Sequence, residues 1–102
     1  MLIVTKQRIG EWATEHKDAA TALTAWYEVA RMAHWHNLQE VRGDFRSADG
    51  VTVASGKVVT VFNVRGNKYR MLTAIHYNHE RVFMMRFMTH AEYDKNAWKA
   101  QL

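Results

Sequence analysis

The chain has 102 residues with no cysteine and no proline, and it is 48% hydrophobic and 24% charged. This composition excludes a disulfide scaffold and a thiolate metal site, and it is too apolar for a disordered tail. No apolar run approaches the roughly 20 residues that span a bilayer, so the expectation is a single cytoplasmic domain over 1–102 with no membrane partner. The net charge of +4 is unevenly spread: six basic against seven acidic residues over 1–56, eight against three over 57–102. A basic C-terminal half points to a polyanionic partner, nucleic acid first in that class. An ordinary basic surface is the plain alternative.

Met1 to Val4 reads as a short first strand. Thr5 is placed to cap a helix carrying Ile9, Trp12, Ala13 and His16 at helical spacing. Asp18 is placed to cap a second helix with Leu23, Trp26, Tyr27, Ala30 and Ala33 along one side. The tryptophan-bearing stripe is the pattern of a buried face. Trp35 is expected to pack while His34 and His36 stay wet. Asn37 and Glu40 have the spacing of a capping box, which predicts a short helix through Val41.

The period then changes from helical to alternating. Lys57 to Val64 is rich in β-branched residues and reads as a strand. Arg65-Gly66-Asn67 forms a turn, Lys68 to Tyr77 a second strand, Asn78-His79-Glu80 another turn, and Arg81 to Met88 a third strand. Thr89 and Glu92 fit a capping box that opens a last helix from His90 to about Lys99. The expected architecture is α+β: two N-terminal helices on a twisted, mainly antiparallel sheet of about four strands, with a short C-terminal helix.

Chemistry concentrates in the last third. Strict alternation groups Phe83, Met85 and Phe87 on one face of the third strand, and Val82, Met84, Arg86 and Met88 on the other. An arginine on so apolar a strand needs an anion or water. Phosphate is one answer, and a structural ion pair with Glu92 or Asp94 is the other. Lys68 and Arg70 are two apart and are expected on a common face. If Arg86 shares it, three cations converge. His90 and Tyr93 are three apart on the last helix, where an imidazole and a phenol can move protons and the helix start can favour an anion. Capping without chemistry is the plain alternative there. His76-Tyr77-Asn78-His79 has metal-like spacing, but no carboxylate or cysteine stands at ligand spacing beside it, so a zinc site is not expected.

Val61-Phe62-Asn63-Val64-Arg65-Gly66-Asn67-Lys68-Tyr69-Arg70 and Arg86-Phe87-Met88-Thr89-His90-Ala91-Glu92-Tyr93-Asp94-Lys95 resemble, in that order, two motifs of the HigB-type toxins of the RelE-like superfamily. Ala25-Trp26-Tyr27-Glu28-Val29-Ala30 with Trp35 resembles the family's second helix. The likeness spans about residues 2–95 and departs at Met88, where many members carry glycine. It implies a RelE-like fold and an mRNA interferase, an endoribonuclease that cuts mRNA, usually in the ribosomal A site. It also implies a helix-turn-helix antitoxin partner, with DNA contacted only through the antitoxin complex.

By that resemblance Arg70 and Arg86 would stabilise the scissile phosphate, His90 and Tyr93 would handle protons, and Asp94 would orient one of them. Lys68, Lys57 and Lys95 would help hold the substrate. No cofactor or metal is implied: the 2′-OH of RNA can attack its own phosphorus with only proton transfer and charge neutralisation. Two other classes fit the same residues, namely a non-catalytic RNA- or ribosome-binding module and a protein that only receives an antitoxin.

Overall fold

A computed structural model describes all of residues 1–102. Its elements are β1 (Leu2–Val4), α1 (Gln7–Glu15), a single 3₁₀ turn at Lys17–Ala19, α2 (Ala20–Met32), α3 (Leu38–Asp44), β2 (Asp49–Thr52), β3 (Val58–Val64), β4 (Tyr69–His76), a second 3₁₀ turn at Tyr77–His79, β5 (Arg81–Thr89), α4 (His90–Asp94) and α5 (Ala97–Gln101). The sheet has five strands in the order β1-β5-β4-β3-β2. β2 through β5 form an antiparallel meander, and β1 adds in parallel beside β5. No helix is long and apolar enough to cross a membrane.

The α+β reading holds, and it grows by one strand. Asp49–Thr52 forms the edge strand β2, paired from Asp49↔Val61 to Thr52↔Val58. A four-residue strand containing glycine carries little alternation signal, and pairing with β3 is what makes it a strand.

The helical hairpin covers one face of the sheet. Trp12, Leu23, Trp26 and Ala30 from the helices bury against Phe62, Val64, Tyr69, Met71, Val82 and Met84 from the strands. The Trp26 ring meets Phe62 edge-on at 5.3 Å, and Trp12 stacks on Phe87 at 5.5 Å. Each such buried large side chain contributes about 1.5–3 kcal/mol relative to exposure, so this face holds the fold together. The opposite face carries a smaller cluster of Val53, Val59, Val61, Leu72, Met88 and Trp98.

Helix ends correct three expectations. Thr5 caps nothing: Lys6 is the N-cap of α1, and Thr5 stands in the left-handed region at φ 61° with its hydroxyl turned to β5. Asp18 does not cap α2 either; its carboxylate reaches across to the β3–β4 turn. The last helix is not continuous, because Asn96 at φ 62° breaks it into α4 and α5 and folds Trp98 under the sheet. Asparagine is among the few residues that take this conformation at small cost. Two caps do form. Asn37 accepts the Glu40 N–H at 2.9 Å, although Glu40 turns its own carboxylate to His36. Thr89 and Glu92 make the full reciprocal box.

Candidate functional site

The position of Arg86 is decided by a β-bulge. β4 alternates regularly, with Tyr69, Met71 and Thr73 in the helical core and Arg70 and Leu72 on the other face. On β5, Thr73 pairs with Met84 but Leu72 pairs with Arg86, so Met85 is an extra residue. A single inserted residue reverses the facing of everything after it. Val82 and Met84 therefore point to the helices, while Arg86 and Met88 point away from them. The expectation that Arg86 shares a face with Val82 and Met84 is overturned. It shares one with Met88, Leu72 and Arg70.

Arg70 and Arg86 thus stand on one face, on adjacent strands, as diagonal neighbours two residues apart in register. Neither pairs with a carboxylate. Arg70 donates to the carbonyls of Asn67 and Tyr69 at 3.2 and 3.1 Å, and its guanidinium lies 5.8 Å from the centre of the Tyr93 ring. Tyr93 stacks in turn on Trp98 at 5.0 Å, with the indole N–H donated to the Tyr93 carbonyl at 3.0 Å. Arg86 donates to the side-chain oxygen of Gln101. The ion pair of Arg86 with Glu92 or Asp94 does not form. Glu92 spends its carboxylate on the Thr89 N–H and hydroxyl, both at 3.1 Å.

An open groove of about 250 Å³ runs beside Arg86, lined by Met88, Glu92, Lys95, Trp98 and Gln101 among others. Lys95 thus lines the same groove as Arg86. Burial pushes the Tyr93 phenol above its ordinary pKa, the Asp49 carboxylate adds to this, and Arg70 opposes it. Tyr93 consequently keeps its proton at neutral pH. His90 is exposed and pairs through Nε2 with Asp94 at 2.8 Å, rather than with either arginine. That contact fixes the Nε2 side of the ring, and α4, only five residues long, gives no anion site of its own.

Two expected cations go elsewhere. Lys68 lies in the turn, not in β4, and its ammonium meets Asp18 on the helical side instead of joining Arg70. Period-2 reasoning fails there because the strand begins one residue later. Lys57 is six residues from Asn63, the partner of Arg70, which is about 20 Å at strand rise. His76 and His79 flank a hollow at the far hairpin, and no three His, Asp or Glu side chains gather to hold a metal ion.

Sequence reasoning missed Asp18, Asp49 and Gln101. Asp18 accepts from Arg65 at 2.6 Å and Tyr69 at 2.8 Å as well as from Lys68. The Lys68 carbonyl in turn accepts the His90 N–H at 3.0 Å. Only the Lys68–Arg70 cation pattern hinted that an acid was needed nearby.

The basic sheet face thus lies beside the Thr89–Glu92 capping box that ends the last strand. The profile of HigB toxins, RelE-like toxic components of toxin–antitoxin systems, covers residues 19–96. The chain belongs to the HigB toxin family. No curated protein matches it. As the toxic component of such a system, this HigB-family toxin has an antitoxin partner. The matched span contains Arg70, Arg86, His90, Tyr93 and Asp94, and it ends before α5.

Proposed function

We propose that this toxin is an endoribonuclease that cleaves mRNA during translation by internal attack of the ribose 2′-OH. The observation that carries this reading is the shared face of Arg70 and Arg86 beside Tyr93. Two guanidinium groups without carboxylate partners suit the phosphate, whose transition state gains negative charge. His90, with its Nε2–H held by Asp94, is left with Nδ1 to take the 2′-OH proton. The 2′ oxygen then bonds to phosphorus, the bond from phosphorus to O5′ breaks, and Tyr93 gives its proton to the leaving oxygen. Its raised pKa keeps the phenol protonated, so the proton is present to be given. Lys95 adds a positive charge near Arg86. The products are a 2′,3′-cyclic phosphate and a 5′-OH, and DNA, which lacks the nucleophile, is not a substrate.

Mapping the ends of RNA fragments after induction in cells tests this. The expected result is translated mRNA cut to 5′-OH and cyclic-phosphate ends, with Arg86→Ala leaving it intact. Translated mRNA that stays whole under wild-type toxin sinks the nuclease reading. In that outcome, RNA binding that weakens steeply with salt supports a binding module on the same face.

A further inference from the structure

The bulge that turns Arg86 toward Arg70 is held from outside the family-matched span. Thr5 and Arg8 both precede residue 19, where that match begins. The Arg8 guanidinium donates to the carbonyls of Met84 and Met85 at 2.8 and 2.9 Å, the two residues at the irregularity. The Thr5 hydroxyl accepts the Met84 N–H at 3.3 Å. A bulge leaves ladder groups without their regular partners, and these two side chains supply partners. Thr5 does so from φ 61°, a conformation uncommon for a β-branched residue. The same β5 segment is where β1 ends its parallel pairing, at Val4↔Phe83. The chain thus runs from β1 into Thr5 and Arg8 directly against the bulge.

The consequence follows from strand geometry. Without the bulge, with Met85 in regular alternation, Arg86 would continue the facing of Met84 and enter the helical core. With it, Arg86 stands with Arg70. We infer that Thr5 and Arg8 are positioning residues, whose bonds to Met84 and Met85 fix the bulge and so set the face on which Arg86 acts. The inference rests on the nuclease reading for its effect on cleavage, but the pairing it concerns can be read independently.

Three variants test it: Thr5→Val with Arg8→Met, which removes the bonding groups and keeps the bulk; Arg8→Lys alone; and deletion of Met85. Deleting Met85 removes the extra residue, so Met84 still opposes Thr73 and Arg86 still opposes Leu72, now in a regular ladder. Cross-strand proximities by NMR report the pairing, and single-turnover cleavage of translated mRNA reports function. The double variant is expected to lose the Leu72–Arg86 proximity and to cut at least about tenfold more slowly, with a smaller change in KM than in kcat. Arg8→Lys restores part of the rate. In the chain lacking Met85, adding the double substitution is expected to change neither pairing nor rate, a rescue that general destabilisation does not give. A double variant that keeps wild-type pairing overturns the inference, as does one equally damaging with and without Met85. A wild-type protein that cuts nothing removes the nuclease reading, and the pairing data then decide the clamp alone.

Discussion

The two faces of the sheet are built from neighbouring residues and do opposite work. Toward the helices, a cluster of seventeen buried side chains includes aromatics packed ring to ring. Away from them, the buried cluster has six, and arginines stand at its border. On the first face the ionic groups meet at the rim, where Asp18 gathers Arg65, Lys68 and Tyr69. On the second, Arg70 and Arg86 lack carboxylate partners. A sheet with one sealed face can leave the other polar because its stability is already supplied. The unpaired cations then cost little in folding and remain available to an anion.

The sharpest way to break this comparison is to remove one cation from each side. Arg86→Ala is expected to slow RNA cleavage by about a hundred- to a thousandfold, the range for losing one transition-state donor, with the thermal midpoint nearly unchanged. Arg31→Ala, on the helical side where Arg31 pairs with Glu28 at 2.8 Å, is expected to leave cleavage as it was. Equal losses for the two would mean that general charge, and not the second face, carries the activity.

A matched pair of methionines sharpens it further. Met71 and Met88 lie on adjacent strands on opposite faces, fully buried and 8% exposed respectively. Met→Ala in a core costs about 2–5 kcal/mol depending on how far the site can collapse. Met71→Ala belongs near the top of that range, enclosed by both helices. Met88→Ala belongs near the bottom, because α5 is short and can settle into the gap. Urea unfolding of both variants checks the order, and indistinguishable costs would remove the asymmetry of the faces.

What was legible in the sequence was whatever depends on near neighbours. The alternation of β4, the Thr89–Glu92 box, the Asn37 cap and the buried tryptophan stripe all follow from residues a few positions apart. The bulge does not. Arg86 was readable as an arginine in need of an anion, but its face depends on Met85 being extra. That in turn depends on Arg8, 76 residues away from Met84. The same holds for Lys68, whose direction is set by Asp18, and for α5, whose fold-back needs Asn96 in a left-handed turn and Trp98 finding Tyr93. Local pattern gave the elements, while contacts distant along the chain chose which of their side chains meet.

The smallest expected effect tests the link between the faces. Asp18 is held at a pKa of about 2, below the ordinary 3.8, chiefly by the Lys68 ammonium and then by the Tyr69 hydroxyl. Its folded-state value is depressed, so its contribution is complete once the unfolded carboxyl is ionised, above about pH 4. It drains as pH falls from there through about 2, where the unfolded chain takes up a proton that the folded chain still resists. Lys68 mirrors this, since Asp18 raises its pKa; its share is present below the ordinary lysine value and fades only in strong alkali. Asp18→Asn removes the carboxylate while leaving an amide oxygen for Tyr69. Chemical unfolding between pH 2 and 5 is expected to show a shallower acid limb for the variant. The part that remains comes from groups such as Glu40 and Glu80, whose values are lowered by His36 and His34. If the variant follows the wild-type curve through that window, the carboxylate does not fasten the turn. The Lys68 carbonyl that receives His90 would then be held by the strands alone.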